Sequence, residues 1–129
     1  MKELEKALII LNTKYPRPGL KLEGSEPFDT KNPWDYSSWP NNGLPGVYIF
    51  ANEDNKVQYV GKASATISAR LSAYWCKGEN GETKSKDWKS EGIRYVYTIG
   101  VPNERAFEAP SIEEFLISHL KPVRNTIGK

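Results

Sequence analysis

The sequence predicts an α+β fold: a small three-stranded antiparallel sheet flanked by helices. Three observations carry this. Two short apolar runs, Val47-Tyr48-Ile49-Phe50 and Val57-Gln58-Tyr59-Val60, bracket the turn-forming stretch Asn52-Glu53-Asp54-Asn55-Lys56, a hairpin signal. Residues 93–99 alternate Ile93, Tyr95, Tyr97 and Ile99 against Arg94, Val96 and Thr98, a strand period. Helical periods precede, separate and follow these strands, so the expected order is helix, arm, hairpin, helix, strand, helix.

The first helix is expected over 3–14. Leu4, Ala7, Leu8 and Leu11 recur at i, i+3, i+4 and i+7, and Pro16 and Pro18 stop the pattern. From there to Gly46 the chain holds six of its nine prolines and no sustained period. Phe28, Trp34, Tyr36 and Trp39 are costly to leave in water, so this stretch reads as an ordered arm wrapping the domain. It either covers core or contacts substrate. The expected division is a helix and proline-rich arm over 1–45 and a sheet-bearing domain over 46–129, together one compact unit. Residues 65–75 read as a helix with Ile67, Leu71, Tyr74 and Trp75 on one stripe and Arg70 on the same stripe. Cys76 to Gly92 is polar and loop-like, with a helical turn near Trp88. The last helix is expected over about 112–120, opened by the capping-box pair Ser111 and Glu114 and ended by Pro122.

The chain has 129 residues, of which 38% are hydrophobic and fifteen aromatic, enough for one core and too little for two. No apolar run approaches the ~20 residues of a membrane span. The start Met1-Lys2-Glu3-Leu4-Glu5 lacks the features of a signal peptide, so a cytoplasmic protein is expected. A single cysteine, Cys76, excludes an internal disulfide. With a single histidine, His119, it also excludes a zinc cluster built within one chain. The net charge of +2 does not announce nucleic-acid binding. Residues 56–94, however, carry eight basic and four acidic side chains. This excess is equally a phosphate-facing surface and an ordinary solvated face; Lys77, Lys84, Lys86 and Lys89 are its candidate nucleic-acid contacts.

Several polar residues fall where periodicity does not require them. Tyr48 and Tyr59 sit on paired strands, and Lys62 follows at the strand-to-helix junction. Arg70 and Tyr74, at i and i+4, leave one helical face together. Glu113 lies early in the last helix and Asn125 just past it. Phosphodiester hydrolysis needs a base near an attacking water, cations for the growing phosphate charge, a metal or acid at the leaving oxygen, and groups that hold them. Phenols, an amine, a guanidinium, a carboxylate and an amide are those types. Singly each has a plainer reading: a strand tyrosine packs, a first-turn glutamate favours the helix dipole, an arginine on an apolar stripe snorkels.

Taken together, the motifs resemble a family. Gly46-Val47-Tyr48-Ile49-Phe50, then Tyr59-Val60-Gly61-Lys62-Ala63, resembles the paired signature of the GIY-YIG nucleases. Ala69-Arg70-Leu71-Ser72-Ala73-Tyr74 is similar to the family's arginine helix. Ile112-Glu113-Glu114-Phe115-Leu116-Ile117 through Lys121-Pro122-Val123-Arg124-Asn125 is similar to its metal-glutamate helix and closing asparagine. The resemblance covers about residues 45–126 and is nearest to the amino-terminal nuclease domain of the bacterial excision-repair incision enzyme; phage homing and restriction endonucleases share the pattern. It implies a metal-dependent endonuclease acting on DNA through one Mg2+ or Mn2+. Tyr59 would be the general base or water-orienting phenol, with Tyr48 its partner. Gly61, with Gly46 one of two signature glycines, would let the backbone turn toward the helix. Lys62 would lower the phenol's pKa or contact phosphate, Arg70 would stabilise the pentacovalent phosphate, and Tyr74 would bond a phosphate or a metal-bound water. Glu113 would be the sole protein ligand of the metal, preferred over Glu114 by the family spacing to Asn125, which would support the site from behind.

The sequence departs from the pattern in three places. Valine stands for isoleucine in both signature halves, a volume-conserving change. The stretch from Gly61 to Arg70 is one residue longer than expected, and the arm before Gly46 has no counterpart. Two alternatives share these residues: a catalytically weak nucleic-acid-binding module, or a nuclease subunit taking its specificity from a protein partner or a second copy of itself.

Overall fold

A computed structural model describes residues 1–34 and 39–126; Tyr36, counted above among the arm's aromatics, lies outside them. Helix α1 spans Lys2–Lys14 and buries Leu4, Ala7, Leu8 and Leu11, the stripe read from the sequence. Strands β2 (Gly46–Ala51) and β3 (Val57–Ala63) form the expected hairpin. Its turn is held by Asn52, whose side-chain oxygen accepts from the amides of Asp54 and Lys56, and by Asn55 at φ 62°, a conformation asparagine tolerates.

The sheet has four strands among the described residues, where three were expected. The extra one, β1, is the two-residue segment Phe28–Asp29 of the arm, paired antiparallel with β6 (Tyr95–Gly100). The order is β1-β6-β2-β3. Two residues carry no period of their own, so only the long-range pairing reveals this strand. The supposed loop 76–92 holds a second small sheet, β4 (Trp75–Lys77) against β5 (Thr83–Ser85). Trp75 therefore ends up on a strand, and the helix expected over 65–75 shrinks to α2, Ile67–Leu71, followed by a turn.

Both faces of the sheet are covered. Val47, Ile49, Val60 and Ile99 face one core with α1 and α3 (Ala109–Leu120). Tyr48, Phe50 and Val96 face a second, aromatic core with Trp39, Leu71, Tyr74 and Trp75. All six residues of β2 are buried, which explains why this strand reads as a continuous apolar run rather than an alternating one.

The described part of the arm covers core and fixes α2. Trp39 is 1% exposed between Phe28 and Trp75, with ring centroids at 4.6 and 5.4 Å. The carbonyls of Leu44 and Asn42 accept from the amides of Ile67 and Ser68 at the start of α2, and the Thr66 hydroxyl accepts from Ala69. Three donors that a helix end leaves unsatisfied are thus met, two of them by the arm.

The capping box predicted at Ser111 does not form. A 3-10 segment, Asn103–Glu108, runs directly into α3, so the helix starts at Ala109 and Ser111 lies inside it, its hydroxyl donating to the Glu108 carbonyl. Glu114 therefore has no capping role. After α3 the chain turns through Lys121, at φ 51°, into a short helix α4 (Val123–Thr126), which carries Asn125.

Candidate active site

A cavity of about 490 Å³ opens at the β3 edge of the sheet and is lined by Tyr48, Tyr59, Gly61, Lys62, Arg70 and Glu113, together with Ser64, Ala65, Thr66 and Ala69. Six of the residues singled out from the sequence thus meet in one concavity. They arrive from different sides. Tyr48 and Tyr59 rise on the aromatic face of the hairpin, where Tyr48 pairs with Gly61 and Phe50 with Tyr59. Glu113 comes from α3, which packs on the opposite face, and reaches the cavity around the strand edge. Lys62 is within 4.0 Å of it, Nζ to Oε1, in a half-exposed ion pair.

Gly61 does something the sequence reading missed. It lies inside β3, not at a strand-to-helix turn, and a Cβ there would collide with the ring of Tyr48 directly across the pair. The missing side chain is the space that ring occupies. Gly46 has a comparable constraint: at φ 153° its position of a Cβ would meet the Ile99 carbonyl.

Tyr74 is 4% exposed and does not line the cavity. It stands behind it, sharing a 3.2 Å hydrogen bond with the Tyr48 hydroxyl and accepting a long 3.5 Å bond from Arg70 Nη2. The role expected for it, direct contact with phosphate or metal-bound water, gives way to holding Tyr48 and Arg70. Arg70 itself is exposed at the cavity wall rather than set on a buried stripe, because the short helix buries only Ile67 and Leu71. Its neighbours are phenols, and the ion pairs of the described residues do not include it.

The phenols are strongly perturbed. Burial pushes Tyr48 well above the ordinary tyrosine value, and the hydrogen bond with Tyr74 adds to this. Burial raises Tyr59 likewise, with Tyr74 and the Glu113 charge contributing. The expected lowering of Tyr59 by Lys62 is not found; the lysine is turned to Glu113, and the opposing influence on Tyr59 is Arg70. The Arg70 guanidinium is in turn raised, chiefly through Tyr48. Both cavity phenols are therefore neutral near pH 7.

Asn125 lies outside the cavity. Its side chain accepts from Val60 N at 2.8 Å and donates to Val60 O at 2.9 Å, pairing with the free edge of β3 between Tyr59 and Gly61. Lys77 and Lys84 do not combine into one patch: register pairs Lys84 with Cys76 and Lys77 with Thr83, so they project from opposite faces of the small sheet. Lys86 is exposed next to it. Lys89 is the one of the four beside the cavity, its ammonium 5.4 Å from the Tyr59 ring centroid.

For a divalent cation the donor chemistry is one carboxylate. No group of three or more His, Cys, Asp or Glu side chains capable of holding a metal occurs among the described residues. A lone carboxylate in an open cavity of this size fits a hard cation that keeps most of its waters, as Mg2+ or Mn2+ does, and does not fit a metal needing several protein ligands.

Comparison with known proteins identifies the family. A family model described as the GIY-YIG catalytic domain matches residues 44–127. UvrABC system protein C of Protochlamydia amoebophila (strain UWE25) is 37% identical over 86 residues, 67% of this chain. The protein of the same name from Methanothermobacter thermautotrophicus is 39% identical over 80 residues, and that from Koribacter versatilis 32% over 83. The chain spans only 13% of the length of each of these relatives. The chain belongs to the GIY-YIG family of endonuclease domains.

Proposed function

We propose that this domain hydrolyses phosphodiester bonds of DNA with a single divalent cation held by Glu113. The observation carrying the reading is the convergence of Tyr59, Arg70, Lys62 and Glu113 on one cavity from three separate elements. Arg70 meets the charge that grows on phosphorus, preorganised by Tyr74. Tyr59 hydrogen-bonds the attacking water and, once in its phenolate form, accepts the water's proton. Tyr48, held by Tyr74 and given room by Gly61, fixes the position of Tyr59 across the hairpin. Lys62 keeps the Glu113 carboxylate oriented and offers its ammonium to phosphate. Glu113 would hold the cation, which would supply Lewis-acid charge for the phosphate chemistry and favour the phenolate form of Tyr59. A cytoplasmic setting and participation in DNA repair, restriction or homing belong to the same proposal, as does dependence on a protein partner or homodimer for specificity.

The experiment is cleavage of plasmid, branched and single-stranded DNA, with and without Mg2+, by the wild-type protein and by Glu113→Gln. The substitution keeps shape and removes charge, so cleavage should vanish while the melting temperature and DNA binding hold. Glu114→Gln, at an exposed position, should be nearly silent. Cleavage abolished by Glu114→Gln and retained by Glu113→Gln reverses the assignment. Cleavage that is indifferent to chelation removes the metal from the mechanism.

A further inference from the structure

The turn after β5 presents a half-exposed aromatic side chain. Trp88 is 48% exposed, whereas Trp39 and Trp75 are almost fully buried. The turn beneath it is firmly held. The Ser90 hydroxyl donates to the Tyr74 carbonyl at 2.8 Å and lies 2.5 Å from the Ser85 hydroxyl, and the Asp87 carboxylate accepts from the Lys89 amide at 2.8 Å. On the other side Arg124 Nη1 donates to the carbonyl of Lys89 at 2.8 Å and that of Trp88 at 3.4 Å. An indole is thus held half-exposed on a backbone fastened from two sides. A side chain exposed by looseness would have no such support.

Its neighbour links it to the cavity. The Lys89 ammonium lies 5.7 Å from the Trp88 ring centroid and 5.4 Å from that of Tyr59, so one cation is near both the exposed indole and a cavity phenol. We propose that Trp88 and Lys89 form a stacking platform that takes an unpaired nucleobase of the strand whose phosphate enters the cavity. This rests on the nuclease reading above and adds a substrate class to it. The indole face accepts any base, and Lys89 contacts the backbone on the way to Tyr59. Within an intact duplex both faces of a base are already stacked, so the platform selects DNA that is single-stranded, mispaired or opened at the cut site.

The test is a binding titration on the full chain, read by fluorescence anisotropy without divalent cation. The probes are a labelled single-stranded oligonucleotide and the same strand in a blunt duplex. Base stacking on an aromatic is worth about 1–3 kcal/mol, so Trp88→Ala should weaken single-strand binding roughly five- to 150-fold. It should leave duplex binding nearly unchanged, and Trp88→Phe should keep most of the affinity. A scan of single abasic positions should find one at which removing the base weakens the wild-type protein and does nothing to Trp88→Ala. Melting curves check that the variants remain folded. The platform is overturned if Trp88→Ala binds single strands like the wild type, if it loses single strands and duplex alike, or if no abasic position separates the two proteins. Cleavage with Mg2+ is read separately. A wild type that shows this binding pattern and cuts nothing loses the nuclease reading alone; one that cuts while ignoring Trp88 loses the platform alone.

Discussion

At the scale of single residues, Arg70 shows how far a side chain's meaning depends on its surroundings. Helical spacing places it with Ile67 and Leu71, which makes a charge there look costly. The helix is only five residues long, however, and the guanidinium turns out to the cavity, so little burial cost exists to be relieved. Arg70→Ala should therefore leave the melting temperature almost unmoved, as surface substitutions do. Loss of a preorganised donor to a developing oxyanion typically costs on the order of a hundred- to thousandfold in rate, and turnover should fall by about that factor. Arg70→Lys should recover little, since an ammonium lacks the planar fork. Steady-state cleavage and thermal melts on one preparation decide this; a large drop in stability with unchanged turnover per folded molecule would make Arg70 structural. Tyr48, Tyr59, Lys62, Arg70 and Glu113 were legible as a set because their order and spacing match a family pattern. The jobs of Gly61 and Tyr74 were not legible: one depends on which residue lies across a strand pair, the other on burial behind the cavity wall.

At the scale of elements, strand β3 is an exposed edge that carries Tyr59, Gly61 and Lys62, and an edge strand with free main-chain groups is neither rigid nor safe from foreign pairing. Asn125 answers this by giving Val60 both a donor and an acceptor, as a neighbouring strand would. The sequence placed Asn125 near the site by family spacing alone; periodicity cannot show that an amide 65 residues away closes a strand edge. Asn125→Ala leaves two main-chain groups of a buried residue without these partners. It should cost about 1–3 kcal/mol in stability. The Val60 amide should exchange hydrogen much faster, and turnover should fall because Tyr59 and Gly61 flank the released residue. Hydrogen exchange localised by mass spectrometry reads the first effect. Unchanged protection across 57–63 would mean that α4 does not hold the strand.

At the scale of the whole molecule, the element order was readable because each long element carries its own period, while the attachment of the arm was not, because it is made by pairs distant in sequence. The helix and arm before residue 46 are continuous with the sheet-bearing part: Leu4, Leu8 and Leu11 share one core with Val47, Ile49 and Ile99. A second attachment is ionic. Arg17 of the arm donates to Glu108 at 2.9 Å and to Ser111 at 3.0 Å, and Arg105 donates to the other Glu108 oxygen at 2.6 Å and to the Pro18 carbonyl at 2.7 Å. The hydrogen bond from Arg105, aided by Arg17, holds the Glu108 carboxyl below the usual glutamate range despite some burial that opposes it. A carboxyl whose folded pKa is lowered contributes stability that is fully present above the unfolded value, about 4.3, and is lost as pH falls from there through the folded one. Glu108→Gln keeps the shape and removes the charge. Its melting temperature should lie below that of the wild type at pH 7, and the gap should persist down to about pH 5 and close as the pH drops below about 4. Parallel thermal scans across that range read the gap directly. A difference as large at pH 3 as at pH 7 would mean that the glutamate acts by packing, and that the arm is held to the start of α3 without help from its charge.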